Sequence, residues 1–410
     1  MGADPKPRLV LFVVGLGTLL SALSSSSTNL ALPDIGRDFG VALDASRWVV
    51  LSFLVTVTAA LPLAGRVGDA IGYGRLFLAG YGLHIFAAAG CAAAPGLGTL
   101  VAVRVLQGLA AAMVMAAGPA LLTTTFAATH RGRALGMLGT ATYIGLSVGP
   151  PLGGIILTAG GWRWVFLIGA PVAALITALG LRILPARAVA PPGSARAKPF
   201  ASLALFRSRT FSASAIAALC NYVALFVPII LVPFVLIEGH GLPQGTAGLV
   251  LAAQPIAMAL TAAPAGWLSD ILGSRGLTVS GMIVVALGAV GLSSTHASSS
   301  VASIAAWNAV MGVGTGVFVT PNSSALMGAA PRSQQGSAGG IMAVARNLGM
   351  MIGVASATAV FAAMGGNTGH AWDAADYSAL RIALLAAAGV ALLGAIAAAL
   401  QRPRELTTSA

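Results

Sequence analysis

Long apolar stretches recur along this sequence and restrict its possible folds more than any other feature. About 20 apolar residues in a helix cross the hydrocarbon core of a bilayer, because each residue advances the helix by about 1.5 Å. A backbone in lipid must satisfy its own hydrogen bonds, and stretches of this length do so as helices. The sequence predicts twelve spans: 9–32, 47–65, 76–95, 98–121, 134–158, 163–184, 211–236, 246–268, 277–295, 301–324, 336–363 and 378–400.

Composition supports an all-α membrane protein. Of the 410 residues, 57% are hydrophobic and only 8% are charged, whereas soluble domains are about 25% charged. The net charge of +12 could indicate nucleic acid, but the basic residues are scattered through short loops, so lipid is the expected surrounding. Cys91 and Cys220 lie far apart in apolar stretches and predict buried thiols rather than a disulfide or metal site. We expect no cofactor.

The basic residues predict the orientation. With the N-terminus inside, sixteen of the 22 lysines and arginines fall in cytoplasmic segments, four in outer segments and two within spans. This positive-inside bias predicts a multi-pass protein of the plasma (inner) membrane with both termini cytoplasmic. The chain then divides into a first six-helix bundle (1–184), a cytoplasmic linker (185–210) and a second six-helix bundle (211–410).

Two motifs recur at nearly one offset. The glycine pattern that includes Gly145 and Gly149 returns 204 residues later, and the residues Gly65, Asp69 and Gly72 return 201 residues later as Gly266, Asp270 and Gly273. Their agreement indicates a duplicated half of about 200 residues. Six is an even number of spans, so the halves are parallel repeats, an architecture that places a substrate cavity between them near mid-membrane.

The stretch 131–154 is rich in glycine and proline. Small residues three or four apart let a second helix approach closely, and membrane helices tolerate proline better than soluble ones. We expect a membrane helix with a close-packed, kinked outer half; the alternative is a Gly-rich soluble loop. The residues of this motif are Gly145, Gly149, Pro150, Gly153 and Gly154.

Several motifs resemble the major facilitator superfamily. GRVGDAIGYGR after the second span is similar to its loop signature, RVLQG in the fourth span to its fourth-helix motif, and GLSVGPPLGG to its exporter-associated fifth-helix motif. NLALP, GWRWVF and GSAGGIMAVARNLGMMIGVA resemble the drug:proton antiporter branch that includes EmrB and QacA. The resemblance implies that Asp69, with Gly65, Gly72, Arg75 and its repeat counterpart Asp270, holds an inner gate shut.

Three departures separate this chain from that branch. Its members commonly have fourteen spans, and the extra central pair is absent here. The usual basic residue after the loop aspartate is Ala70. Where members often carry an aspartate in the first helix, this chain has Ser24.

Arg104 is the strongest candidate site residue. It lies about six residues, or roughly 9 Å, from the outer end of its predicted span, where an arginine costs about 2.5 kcal/mol or more on insertion scales and usually marks function. Gln107 shares its helix face. The alternative is an arginine that snorkels to the interface. Arg346 is a second arginine within a span.

The ten acidic residues all fall outside the predicted mid-membrane region. Proton-coupled carriers usually need a carboxylate that changes protonation, so the coupling site is not located; Asp34 and Glu238 are the nearest candidates, or else solvated loop acids. His84 could titrate, although a structural histidine is favoured. Asn221, Tyr222, Tyr143, Gln254 and Asn308 could line the cavity or hydrogen-bond between helices.

These observations predict a secondary transporter that works by alternating access of two halves. An exporter of small amphipathic molecules, coupled to protons, is favoured; a metabolite symporter or uniporter is the alternative. An enzyme is not expected, since no acid, His or Cys cluster occurs. A channel is not expected either, since nothing resembles a charged ring or selectivity filter, and the sequence contains no P-loop for ATP hydrolysis. The arginines suit a neutral or anionic substrate better than a cationic one. We expect a monomer.

The orientation is testable by labelling. On a background without Cys91 and Cys220, a single cysteine at Ser194 should be shielded from an impermeant thiol reagent in intact cells, whereas one at Gly366 should react. Reaction at Ser194 in intact cells would overturn the orientation.

Overall fold

The computed structural model describes residues 7–126, 128–184, 203–331, 334–366 and 370–401. These residues contain twelve helical segments long and apolar enough to cross a membrane, as the sequence predicts. Most of the predicted linker lies outside the described residues. The helices are α1 (Pro7–Phe39), α2 (Leu43–Ser46), α3 (Trp48–Ile71), α4 (Tyr73–Ala92), α5 (Leu97–Thr125), α6 (Ala128–Gly160), α7 (Trp162–Leu167), α8 (Gly169–Ile183), α9 (Arg209–Phe234), α10 (Gln244–Leu272), α11 (Ser274–Ser293), α12 (Val301–Gly328), α13 (Gln335–Ala363) and α14 (Ala374–Ala399).

Several spans continue past their predicted ends. The first was predicted to stop at residue 32, before Pro33, but α1 runs through this proline to Phe39. Membrane helices tolerate proline because neighbouring groups satisfy the freed backbone. Asp34 is therefore part of the last turns of α1 and does not lie in a loop.

The chain separates into two compact units. The first contains α1–α8 together with residues 233–252 and two residues near 370. The second contains the remainder of α9 and α10 and the helices α11–α14. The division of the sequence into 1–184, 185–210 and 211–410 stays a prediction.

In the first unit, α6 packs closely along α1. A Cβ at Gly145 would lie 2.5 Å from the Leu19 carbonyl oxygen, and one at Gly153 would lie 2.9 Å from Cβ of Ser27. The Ser27 hydroxyl donates a hydrogen bond to the carbonyl of Gly149 across this interface at 2.8 Å. The serine-rich stretch of α1 thus supplies small side chains to the glycine face of α6.

The outer part of α6 also meets residues 244–248 within the first unit. A Cβ at Gly154 would collide with the Gln244 carbonyl, and one at Gly248 would collide with the Pro150 carbonyl. Pro150 and Pro151 lie inside the helix and do not end it. All five residues of the predicted motif therefore belong to one helix, with glycines at the positions of closest backbone approach.

The second unit repeats this packing. A Cβ at Gly349 of α13 would lie 2.6 Å from the Leu219 carbonyl of α9, and one at Gly353 would lie 2.8 Å from the Val223 carbonyl. Gly349 and Gly353 are the counterparts of Gly145 and Gly149 in the sequence repeat. The same helix contact thus recurs in both units.

A matching turn also recurs. Gly72 joins α3 to α4 with φ 94°, and Gly273 joins α10 to α11 with φ 83°. Residues with a side chain rarely adopt positive φ, which explains glycine at both places.

Buried polar residues tie helix ends together in the second unit. The side-chain amide of Gln401 donates to the Ser214 hydroxyl at 3.1 Å and to the side-chain oxygen Oδ1 of Asn322 at 3.0 Å. Asn322 donates to the Ser214 backbone carbonyl at 3.0 Å, and the Thr278 hydroxyl donates to Gln401 at 3.3 Å. All four residues are buried.

The α1–α6 contact predicts a position-dependent effect of alanine. Gly145→Ala should lower the thermal unfolding midpoint in detergent, because the added methyl meets backbone that cannot rotate away; such overpacking costs about 1–3 kcal/mol. Gly139→Ala on the same helix is the matched control, since nothing lies within 4 Å of its Cβ position. Equal midpoints for both variants would contradict this packing.

Candidate substrate site

Arg104 lies on α5 and is fixed by side chains and backbone of the first unit. Its side chain is buried, with 4% of the residue exposed. Nε donates to the Val49 carbonyl at 2.8 Å, and Nη1 donates to Oε1 of Gln107 at 2.6 Å. The predicted Arg104–Gln107 pair is therefore present, and the arginine does not snorkel.

Aromatic rings complete the surroundings of this guanidinium. Its carbon lies 4.4 Å from the ring centroid of Phe53 and 5.8 Å from that of Phe166. Cation–π contacts of this kind gain strength when the cation is desolvated. They hold Arg104 without an anion.

A cavity of about 30 Å³ lies beside Arg104, with room for one or two water molecules. It is formed by α1, α3, α4 and α5 of the first unit. Three serines of α1 face two hydrogen-bonding residues of α4 across it. The lining residues are Ser21, Ser24, Ser25, Phe53, Tyr81, His84, Arg104, Gln107, Ala110, Ala111 and Val114.

The sequence does not single out most of these lining residues, among them Phe53 and Tyr81. It marks Ser24 only as a departure from the family pattern. His84 was expected to be structural, yet it lines the same cavity as Arg104. Its ring centroid is 6.2 Å from that of Tyr81. Spacing on α4 could have linked Tyr81 with His84, but not with Arg104 on another helix.

None of the residues lining the cavity is acidic. Asp34 accepts hydrogen bonds from Arg37 at 2.5 Å and from Gln244 at 3.2 Å, near the end of α1. Asp38 binds Arg163 at 2.8 Å. The structure does not bring Asp34 to Arg104, and Glu238 is placed in the helical turn after α9.

The candidates of the second unit lie on four helices. Asn221 is buried on α9 and donates to the Met282 sulfur at 3.4 Å. Tyr222 is half-buried on α9, and Arg346 is half-buried on α13. Gln254 and Asn308 are buried on α10 and α12. Tyr143 belongs to α6, but its side chain lies outside the described part of the chain.

The structure describes the surroundings of some of the predicted gate residues. The Tyr73 hydroxyl donates to the Asp69 carboxylate at 2.6 Å, so Asp69 is held beside the Gly72 turn. Gly65 has nothing within 4 Å of its Cβ position. Arg75 lies in the first turn of α4. The side chain of Asp270 is outside the described residues, and the gating role stays a prediction.

Twelve helical segments in the described part of the chain are long and apolar enough to cross a membrane, and a buried arginine lies beside a cavity in the first unit. This arrangement is typical of a polytopic membrane transporter. Residues 14–243 and 214–410 match the sequence profile of the Major Facilitator Superfamily. The chain belongs to this superfamily and is a transporter, not an enzyme.

Relatives of known name include transporters of two kinds. Riboflavin transporter RibZ of Clostridioides difficile is 28% identical over 401 residues, covering 86% of this chain and 88% of that protein. Multidrug resistance protein Stp of Mycobacterium tuberculosis is 28% identical over 410 residues, covering 87% and 76%. A bacterial homologue of the human lysosomal transporter Spinster, in an inward-facing and unoccupied conformation, has the same fold, with a TM-score of 0.80 at 15% identity and 98% of each chain covered.

The contacts of Arg104 predict that charge alone is insufficient at this position. Arg104→Lys should insert normally yet lose most transport, because an ammonium cannot reproduce the planar donor geometry; Arg104→Ala should lose it too. Surface expression and flux should be measured on the same cells.

Arg163→Lys is the matched control. Arg163 also lies over an aromatic ring, at 4.3 Å from the Trp162 centroid, but its side chain is 44% exposed. We expect near-normal flux from this variant. Flux of Arg104→Lys equal to that of Arg163→Lys would remove the site assignment.

Proposed function

We propose that this protein exports small amphipathic molecules of neutral or anionic character in exchange for protons, by alternating access. The observation that carries the substrate class is the cationic cavity around Arg104, whose lining contains no carboxylate. A cationic drug would meet an uncompensated like charge there, which is unfavourable in a desolvated site.

The hydroxyls and rings around Arg104 extend this argument. Ser21, Ser24 and Tyr81 offer hydrogen bonds, and Phe53 offers an aromatic face. A planar substrate with carbonyl, phenolate or carboxylate oxygens would satisfy both kinds of contact, since guanidinium groups bind such oxygens with two parallel donors.

The small size of the cavity indicates that the site must open to admit a substrate. Drug-sized ligands occupy pockets of about 300–1,000 Å³, whereas this cavity measures about 30 Å³. The helices that line the cavity would have to move apart before a substrate of that size could enter. A transporter that alternates between open and closed states has this requirement.

Export is supported by two observations. Relatives that cover most of the chain include a multidrug resistance protein, and the glycine-rich motif of α6 resembles the exporter-associated motif. The α6 glycines pack against α1, the helix that also carries the serines of the cavity. Movement of α6 would therefore be transmitted to the site.

Uptake of a metabolite is the second candidate. The match to a riboflavin transporter covers 86% of this chain and 88% of that protein, and riboflavin is a planar amphipathic molecule. The lack of a carboxylate near Arg104 also fits a carrier that moves an anion or neutral compound inward.

Transport by the purified protein in vesicles tests these proposals. Three planar fluorescent probes of different charge are suitable: riboflavin (neutral), fluorescein (anionic) and ethidium (cationic). We expect riboflavin or fluorescein to move several-fold faster than ethidium. We also expect flux to rise when the pH gradient drives protons in the direction opposite to substrate movement.

The Arg104→Gln variant serves as the matched control, since it keeps a hydrogen-bonding side chain but removes the charge. Preferred transport of ethidium by the unmodified protein would contradict the substrate class. Flux that rises only when protons and probe move in the same direction would replace export by symport.

A further inference from the structure

We propose that His84 carries the proton that is exchanged during transport. This inference rests on the proposed function, because it names the coupling group of a proton-driven cycle. In the unprotonated ring one nitrogen has a free electron pair; that pair binds a proton from one side of the membrane and later releases it to the other.

The location of His84 is the first argument. It lies on α4 about halfway along the helix and lines the cavity beside Arg104. A Cβ at Gly169 of α8 would lie 3.9 Å from Nε2 of His84 and 3.5 Å from Oγ of Ser24. His84 and Ser24 therefore converge on one small space.

The groups around His84 include one permanent positive charge, that of Arg104, which opposes a proton on the ring. The cavity-lining residues of α1 are serines, that of α3 is Phe53, and α5 contributes Arg104 and Gln107. On α4 itself the titratable neighbours are Tyr81 and Cys91, and Gly169 is the contact from α8. Histidine is the side chain that ordinarily changes charge between about pH 5 and 8; the hydroxyl, thiol and guanidinium groups ordinarily do not.

The acidic residues that the structure describes lie elsewhere, with Glu238 in the helical turn after α9. Asp34, Asp38 and Asp44 pair with arginines outside the cavity. Asp69 accepts a hydrogen bond from Tyr73, and Asp373 and Asp376 form the capping box of α14. None of them lines the space around His84.

Arg104 links the protonation of His84 to substrate binding. Its guanidinium is held by the Val49 carbonyl and Gln107, so it cannot move away freely from a second positive charge. A proton on His84 would add a second positive charge beside Arg104 and would compete with a neutral substrate for the hydrogen-bonding groups of the cavity. An anionic substrate would instead be held more tightly by the protonated ring. The cavity has room for a water molecule beside the ring.

Histidine replacement in vesicles tests this role. His84→Gln keeps a hydrogen-bonding amide and cannot bind a proton near neutral pH. His296→Gln is the control, because His296 is exposed in the segment between α11 and α12. Riboflavin and fluorescein flux should be measured with and without an imposed pH gradient, together with proton movement reported by a trapped pH dye.

We expect the pH gradient to stimulate flux in the unmodified protein and in His296→Gln, and the stimulation and the accompanying proton movement to fall at least tenfold in His84→Gln. Gradient-stimulated flux retained in His84→Gln would overturn this inference and leave the proposed function intact. A lack of stimulation in the unmodified protein would instead overturn proton coupling itself.

A second variant keeps the test decisive if His84→Gln does not fold. Gly169→Ala places a methyl group against both Ser24 and His84 at ordinary contact distances, so the fold should be retained. We expect the pH of half-maximal flux to shift in this variant relative to Gly82→Ala, a substitution on α4 with nothing within 4 Å of its Cβ position. Identical pH profiles would contradict a protonation role for His84.

Discussion

Close approach of helix backbones is the interaction on which this structure depends. Lipid is as apolar as leucine, so helices in a membrane gain little from burying apolar side chains against each other; packing and interhelical hydrogen bonds hold them together. Gly145 and Gly153 bring α6 against α1, and Gly349 and Gly353 bring α13 against α9. The Ser27–Gly149 hydrogen bond adds a polar contact to the first of these interfaces.

The buried arginine is likewise held by short-range contacts with neighbouring groups. A charge within the membrane is normally compensated by an opposite charge, but Arg104 is held by a carbonyl, an amide and two aromatic rings. Its positive charge is therefore not cancelled locally. This leaves a field within the cavity that favours electron-rich ligands and that responds to any titration nearby.

Much of the fold could be predicted because its determinants are local in sequence. Long apolar runs define the spans, and repeated glycines define both the duplication and the close-packed helix. Arg104 and Gln107 could be paired because they are three residues apart on one helix. The boundary at Pro33 could not be predicted, since whether a proline ends a membrane helix depends on its neighbours.

The site was harder to predict because it is assembled from several helices. In a helix that is apolar all round, the sequence does not say which face meets which neighbour, so nothing in α4 indicated that His84 faces α5. From the sequence, Ser24 is only a departure from the family pattern, in which this position often carries an aspartate. Only its position near His84, across Gly169, suggests a replacement.

The polar cluster around Gln401 bears on how the protein is made. Ser214 and Asn322 can pair with each other as soon as α12 has been synthesised, but their bonds to Gln401, and that of Thr278, need the residue that follows the last span. A ribosome adds that residue after α14. During biogenesis the buried amide and hydroxyl groups of the second unit therefore stay partly unsatisfied until Gln401 has been made.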